Sequence, residues 1–304
     1  MNISIIGSGV YGIAVAKLLL LTNENVTMWT EKENINEIEV PNHVILTHDY
    51  EESVKDADII FVLTGTKFVK NILESIKTYI KPSAIIVLGS KGILENGDTP
   101  LSLTKKILNN PCAVLSGPTF ARDVAALDPV GFTLATDDYG VFETLKEVLN
   151  VAYLEYNSDV DAIELLGSLK NAYAIGSGII AGLNHGYSTS CLYITRIINE
   201  IQAILTSLQY DPNSIISLAG IGDLVLTCTS TESRNYTYGS ILAASDFEKK
   251  KKYLQETTVE GCEALTSFMN MFKEKRIDAP IMTMINEISE GKNDPQTLIG
   301  LILN

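Results

Sequence analysis

Lys170 is the one Lys or Arg between Lys146 and Arg196, and it stands in the apolar run Leu165-Leu166-Gly167-Ser168-Leu169-Lys170-Asn171-Ala172. Burying an ammonium without a partner is costly. A lysine so placed is disposed to exchange its proton near neutral pH, as general acid–base catalysis requires. The plainer alternative is a lysine whose stem covers helix surface while its head stays in water. Arg234 is equally isolated, with no Lys or Arg between Arg196 and it and none after it until Lys249. Just upstream, Ala219-Gly220-Ile221-Gly222-Asp223-Leu224-Val225-Leu226-Thr227 sets one carboxylate in an apolar, glycine-bracketed segment. Such a carboxylate pairs with a cation or orients a reacting group. A guanidinium offers a planar fork that fits phosphate oxygens, so Thr231-Glu232-Ser233-Arg234-Asn235 reads as an anion pocket. The plainer alternative there is a helix cap followed by a surface arginine.

A second set of candidates lies in the first half. Gly7-Ser8-Gly9-Val10-Tyr11-Gly12 follows the apolar run Ile3–Ile6 directly and opens the helical pattern Val10–Leu20. In a dinucleotide fold the first glycine permits the turn, the second lets backbone approach a pyrophosphate, and the third lets helix pack on strand. The helix N-terminus supplies N–H groups for the phosphates. Glu31 ends the next strand, where a carboxylate accepts hydrogen bonds from the adenosine ribose. It would repel the 2′-phosphate of NADP, although Lys32 adjoins it, so the expected cofactor is NAD in preference to NADP. Lys91 follows another apolar run in Leu88-Gly89-Ser90-Lys91-Gly92, and Ser116-Gly117-Pro118-Thr119-Phe120-Ala121 follows a further one. In an open α/β sheet, ligands sit beyond the carboxyl ends of the strands, so both segments are expected to face cofactor and substrate.

The elements that must hold these residues are legible from periodicity. Strands are predicted at Ile3–Ile6, Val26–Trp29, Ile59–Leu63, Ile85–Leu88, Ala113–Leu115 and Phe132–Ala135, with helices between them that include Val10–Leu20 and Thr66–Tyr79. Strand–helix alternation at this spacing predicts an α/β Rossmann-type domain with a mostly parallel sheet. From Asp159 to Ile204 the sequence is nearly all helix-compatible. Helical patterns return at Phe247–Gln255, Cys262–Lys273 and Ile281–Glu290. The expected organisation is a dinucleotide-binding domain, 1–157, and an all-α substrate and catalytic domain, 158–304.

Composition narrows the class. The chain has 304 residues, 46% hydrophobic and 20% charged, with a net charge of −14. A nucleic-acid binder needs a concentrated basic footprint. The run Lys249–Lys252 follows Asp246 and Glu248 and reads as a solvated helix or loop. No apolar run is long enough to span a bilayer, and no basic region precedes Met1–Gly7, which therefore reads as a first strand rather than a signal. Because the whole molecule repels anions, cations for an anionic substrate must be placed locally. Cys112, Cys191, Cys228 and Cys262 form no CxxC pair and read as buried free thiols of a reducing cytoplasm. His43, His48 and His185 have no metal-ligand spacing, and no metal is expected.

Taken together, these segments resemble the NAD(P)-dependent glycerol-3-phosphate dehydrogenases of the bacterial type. The resemblance rests on GSGVYG at 7–12, SKGI at 90–93, SGPTFARDVA at 116–125, LKNAYAIGSGIIAGL at 169–183, AGIGDLVLTCTSTESRNYTYG at 219–239 and VEG at 259–261. It implies reversible hydride transfer between NAD(P)H and dihydroxyacetone phosphate, giving sn-glycerol 3-phosphate for phospholipid synthesis. By that resemblance Lys170 is the proton-transfer lysine, and Asn171, Asp223 and Thr227 line the same site. Lys91, Gly117, Thr119, Lys170, Asp223, Ser233, Arg234 and Asn235 would contact substrate. Gly7, Gly9, Val10, Tyr11, Gly12, Glu31, Lys91, Ala121, Arg234, Thr258 and Glu260 would lie on the cofactor side. The apolar helical half leaves room for a homodimer. Leu63-Thr64-Gly65-Thr66 departs from the valine–proline–serine type of segment, the region Glu31–Asn42 is short, and Glu31 stands where some relatives carry a more neutral or basic residue. The nearest rivals are two-domain dehydrogenases of the β-hydroxyacid or ketopantoate type, which the GDLVLTC and SRN segments oppose. A non-catalytic cofactor sensor would have no need of Lys170.

Overall fold

The structure, a computed structural model, describes residues 1–23, 25–32, 40–94, 98–244 and 247–304. These divide into two compact units, Met1–Leu94 with Asp98–Glu164, and Leu165–Asn304.

The first unit is built on a single eight-stranded sheet. In chain order its elements are β1 (Ile3–Ile6), α1 (Val10–Leu19), β2 (Val26–Trp29), β3 (Ile45–Thr47), α2 (Tyr50–Val54), β4 (Ile59–Val62), α3 (Val69–Ile76), β5 (Ile85–Leu88), α4 (Pro100–Ile107), β6 (Cys112–Ser116), α5 (Ala121–Ala125), β7 (Gly131–Ala135), α6 (Tyr139–Val148) and β8 (Tyr153–Asn157). The order across the sheet is β3-β2-β1-β4-β5-β6-β7-β8. Pairing is parallel except between β6 and β7. All residues of β1, β4, β5 and β6 are buried, as expected of a parallel sheet covered on both faces. That explains why their sequences are near-continuous apolar runs, interrupted by Ser4 in β1 and ended by Ser116 in β6, rather than alternating ones. The chain builds outward from β1 through β2 to β3, then returns to the other side of β1 with β4. Ile6 thus faces Trp29 on one side and Val62 on the other. This reversal is a topological switch point, where the carboxyl ends of two strands diverge and leave a crevice.

Two strands exceed the sequence expectation. β3 is three residues long, with Ile45 and Leu46 of the short apolar run Val44-Ile45-Leu46 exposed at the sheet's edge. β8 forms the opposite edge, with Tyr153 exposed. The predicted helix Thr66–Tyr79 begins as a 3-10 turn, Thr66–Phe68, before α3.

The helical unit contains no strand among its described residues. It is built around α7 (Val160–Gly182), whose residues from Leu165 to Ile180 are all buried. A helix apolar on every face must be enclosed by others. Those that follow are α8 (Tyr187–Ser207), α9 (Asp223–Thr229), α10 (Arg234–Ala243), α11 (Phe247–Glu256), α12 (Glu260–Lys275), α13 (Pro280–Ser289) and α14 (Thr297–Leu303). The helix-compatible stretch from Asp159 to Ile204 breaks between α7 and α8. Asn184 there adopts a left-handed conformation with φ of 60°, a backbone state that asparagine tolerates better than most residues and that ends helices. Glycines let α10 lie directly on α7. A Cβ on Gly178 would meet the Tyr236 carbonyl oxygen at 1.9 Å, and one on Gly239 would meet that of Ile175 at 1.9 Å. No helix among the described residues is long and apolar enough to cross a membrane.

Candidate active site

In the first unit the glycine loop leaves β1 at the switch point. Gly7 takes φ of +120°, which favours glycine, and donates its N–H to the Trp29 carbonyl at 3.2 Å. A Cβ on Gly12 would lie 2.1 Å from the Gly7 carbonyl oxygen, so the loop closes only with glycine there. A Cβ on Gly9 would meet nothing within 4 Å, and Val10 beside it is 74% exposed. Helix α1 starts on Gly9 with no side-chain cap. Its first N–H groups are therefore offered to an external acceptor. A turn that exists only with glycine, an open approach and an uncapped helix end fit a dinucleotide diphosphate. Gly7, Gly9, Val10, Tyr11 and Gly12 are the residues that would hold it.

The other candidates of this unit gather along the same carboxyl edge. Thr64 follows β4, and its carbonyl accepts the Ser90 hydroxyl at 2.7 Å. The Thr66 hydroxyl donates to the Lys91 carbonyl at 3.1 Å, which fixes the backbone that presents Lys91 after β5. Gly117 follows β6 and lies so close to β7 that a Cβ would meet the Gly131 carbonyl oxygen at 2.7 Å. Tyr11 Oη and Thr119 Oγ1 are 3.4 Å apart. Helix α5, which starts at Ala121, packs on α1. Glu31 and Lys32 are exposed just beyond β2.

In the helical unit the isolated lysine meets the carboxylate of the glycine-bracketed segment. Lys170 of α7 places Nζ 2.5 Å from Asp223 Oδ1 and donates to Thr227 Oγ1 at 3.1 Å. The Thr227 hydroxyl donates in turn to the Asp223 carbonyl at 2.6 Å. All three residues are buried, Asp223 almost wholly. Asp223 opens α9 directly after a π-type turn, Leu218–Gly222, whose close passage by the Ile215 carbonyl admits only glycine at position 220. Asp223 thus supplies the countercharge that the apolar helix around Lys170 lacks.

One residue along α7, a second network begins. The Asn171 amide donates to Glu260 Oε2 at 3.1 Å, and its oxygen accepts from Asn235 Nδ2 at 2.9 Å. Asn235 Oδ1 accepts the Gly261 N–H at 2.9 Å. Glu260 Oε1 lies 3.7 Å from Arg234 Nη2. The Arg234 side chain is about half exposed, at 53%, so its fork remains in reach of a solvent-borne anion. Ser233 caps α10, its oxygen accepting the Tyr236 N–H at 3.2 Å. An Asn–Asn–Glu chain therefore ties α7, α10 and α12 together beside the lysine. Thr258 is exposed ahead of α12 and stands outside this hydrogen-bonded chain.

Burial of the thiols is uneven. Cys112 and Cys228 are buried and pushed up to about 11 and about 12 by desolvation, whereas Cys191 is exposed and Cys262 intermediate.

Sequence reasoning passed over two buried carboxylates. Glu200 of α8 accepts the Tyr173 hydroxyl at 2.8 Å and the N–H groups of Ile281 and Met282 at 2.8 and 3.0 Å, so it caps α13 and grips α7 three residues after Lys170. Desolvation pushes its carboxyl up despite these bonds. Glu164 accepts the Leu101 N–H at 2.8 Å and is pushed up to about 7 by desolvation. The signal that singled out Lys170, one charge in an apolar helix, was present in Ile163-Glu164-Leu165 and Ile197-Ile198-Asn199-Glu200-Ile201 as well.

Comparison with known proteins bears on the family and the fold. The family profile described as NAD-dependent glycerol-3-phosphate dehydrogenase N-terminus matches residues 2–141, and the corresponding C-terminus profile matches residues 159–300. A glycerol-3-phosphate dehydrogenase [NAD(P)+] of a Thermoanaerobacter species is 31% identical over 99% of this chain and 97% of its own. That of Cereibacter sphaeroides is 32% identical over 99% and 97%. The crystal structure of glycerol-3-phosphate dehydrogenase from Coxiella burnetii superposes with a TM-score of 0.91 at 27% identity, covering 100% of this chain and 98% of that one.

Proposed function

The chain belongs to the NAD-dependent glycerol-3-phosphate dehydrogenase family, and from that premise we propose that it interconverts dihydroxyacetone phosphate and sn-glycerol 3-phosphate with Lys170 as the proton donor and acceptor. The observation that carries this reading is the buried Lys170–Asp223–Thr227 cluster adjoining the Asn171–Asn235–Glu260–Arg234 chain.

The nicotinamide, when bound, supplies the hydride that reaches C2 of the ketone. Lys170 delivers its proton to the C2 oxygen as negative charge builds there, and takes a proton back from solvent afterwards. Asp223 and Thr227 fix the ammonium in place, so that little reorganisation accompanies the step. Arg234, with Ser233 and Asn235, grips the phosphate, whose binding energy orients the carbonyl. Lys91, Gly117 and Thr119 contribute from the dinucleotide-binding unit. In the first half, 1–157, Gly7–Gly12, Glu31 and Ala121 hold the cofactor. Arg234, Thr258 and Glu260 serve it from the second, 158–304. Glu31 favours NAD over NADP by refusing the 2′-phosphate. The product would supply phospholipid synthesis, and the absence of CxxC pairs suits a reducing cytoplasm.

Following NADH and NADPH oxidation with dihydroxyacetone phosphate tests the activity, and no turnover with either cofactor would overturn it. Unchanged kcat in Lys170→Ala would overturn the role of Lys170.

A further inference from the structure

Thr30 is 1% exposed and uses every polar atom it has. Its N–H donates to the Thr47 carbonyl at 3.1 Å, and its carbonyl lies 2.8 Å from His48 Nδ1. Its hydroxyl lies 2.6 Å from Ser8 Oγ, inside the glycine loop, and accepts the Lys32 N–H at 3.2 Å. The last bond spans Glu31. A hydroxyl that captures the N–H two residues on closes a small turn and fixes the residue between. The preceding residue is fixed too, since Trp29 donates its ring N–H to the His48 carbonyl at 3.0 Å and stacks on Tyr50 at 4.3 Å. Glu31 lies near enough to Tyr50 to help burial push that phenol up. The carboxylate thus sits on a rigid corner in an otherwise exposed segment.

We propose that Thr30 is a positioning residue for cofactor selectivity: it locks the Thr30–Lys32 turn that presents Glu31 to the adenosine ribose, and through Ser8 it ties that turn to the phosphate loop. This rests on the reading of Glu31 as the group that discriminates NAD from NADP. The Thr30 hydroxyl acts on the Lys32 backbone and on Ser8, so its effect on the ribose is through Glu31. A loose turn would let Glu31 swing away from the hydroxyls it should accept from, and away from the 2′ position it should guard. The diphosphate is common to both cofactors, so slack at the corner is read as a change in preference.

The test is equilibrium binding of NADH and NADPH to the full chain, read by nicotinamide fluorescence in Thr30→Val, Thr30→Ser, Ser8→Ala and Glu31→Gln. Thr30→Val keeps the branched shape and removes the hydroxyl. The Kd ratio of NADPH to NADH should narrow by about fivefold, the scale of one net hydrogen bond. Thr30→Ser should retain the wild-type ratio. Ser8→Ala removes the Ser8 bond and leaves the Lys32 bond, and should narrow the ratio in the same direction by less, which guards against a Thr30→Val protein that does not fold. Glu31→Gln should also narrow the ratio, and adding Thr30→Val to it should narrow it no further. Equal weakening of both cofactors in Thr30→Val, or an unchanged ratio in Ser8→Ala, would overturn the proposal while Glu31→Gln still moved the ratio. An unchanged ratio in Glu31→Gln would overturn the reading of Glu31 itself, and the positioning role with it.

Discussion

Lys170 and Asp223 are 53 positions apart in sequence and meet at 2.5 Å between Nζ and Oδ1. A buried ion pair is a weak device for stability, because desolvation offsets most of its attraction, yet removing one partner alone costs about 3–5 kcal/mol. An apolar pair would hold α7 to α9 as well. On the proposed mechanism the charges serve the proton transfer of the ammonium.

Lys170→Met should therefore lower kcat by about 10²–10⁴-fold, the usual contribution of a positioned proton donor. It should also destabilise the protein by about 3–5 kcal/mol, because the buried Asp223 carboxylate loses the Lys170 ammonium. Lys170→Met combined with Asp223→Leu should restore much of the stability and none of the activity. Urea titration and steady-state kinetics read the two effects separately. A double variant that turned over dihydroxyacetone phosphate at the wild-type rate would remove the lysine from the mechanism.

Arg234→Ala should raise KM for the phosphorylated substrate by about tenfold to a hundredfold, the range of one hydrogen-bonded charge. Its half-exposed side chain is held by Glu260 at 3.7 Å and stabilises little by itself, so Tm should hardly change. Arg234→Lys should recover part of the loss, since an ammonium cannot reproduce the planar fork. The control is dihydroxyacetone without its phosphate. If both substrates lost the same factor, Arg234 would not be a phosphate grip.

Much of this was legible in the sequence because it is local. Gly7–Gly12 can be read from spacing, since strand, turn and helix are adjacent and Gly7 and Gly12 each answer a nearby steric demand. The central strands were plain for the same reason: burial on both faces removes alternation and leaves runs such as Ile59-Ile60-Phe61-Val62. β3 escaped although Val44-Ile45-Leu46 is apolar: the run is short, and two of its three residues lie exposed at the sheet's edge. The partners of isolated charges were visible as a need, not as an address. Lys170 announced that something must pair with it, and Asp223 that it wanted a cation, but only the packing of α7 against α9 joins them. Asn171 and Asn235 were marked only through the family resemblance, and the chain that joins them to Gly261 was not, because asparagine at a helix surface and asparagine in a buried network look alike in sequence. Glu164 and Glu200 did give one, the same signal that marked Lys170.

The close crossing of α7 and α10 predicts a cost for the smallest possible side chain. A Cβ added at Gly178 would stand 1.9 Å from the Tyr236 carbonyl oxygen, and one at Gly239 would stand 1.9 Å from that of Ile175. Both obstacles are backbone, so the helices must separate. Gly178→Ala and Gly239→Ala should each lose about 1–3 kcal/mol of stability, the usual range for overpacking. Separation would also carry Asn235 away from Asn171, their present contact being 2.9 Å. KM for dihydroxyacetone phosphate should therefore rise along with the loss of Tm. Gly186→Ala, where a Cβ meets nothing within 4 Å, is the control. Equal behaviour of all three variants would deny that the crossing sets the site.

Glu164 makes stability depend on pH in a direction opposite to that of a salt-bridged carboxylate. Its Oε1 accepts the Leu101 N–H at the start of α4, while Oε2 is buried without a partner. Desolvation outweighs the hydrogen bonds and holds the folded carboxyl at about 7, against an ordinary value of 4.5. Between those values the folded protein binds a proton that the unfolded chain has released. Stability must then fall as pH rises through that window. The contribution is whole below about 4.5, is lost by the time pH passes 7, and amounts to on the order of 3 kcal/mol. Glu164→Gln keeps an oxygen for Leu101 and removes the titration. Urea unfolding at pH 5.5 and pH 8 should show the wild type losing stability over that interval by more than the glutamine variant does, with the two closest at the lower pH. Parallel pH profiles for the two proteins would show that Glu164 is ionised in the folded state throughout, and that the unpartnered oxygen is satisfied by water.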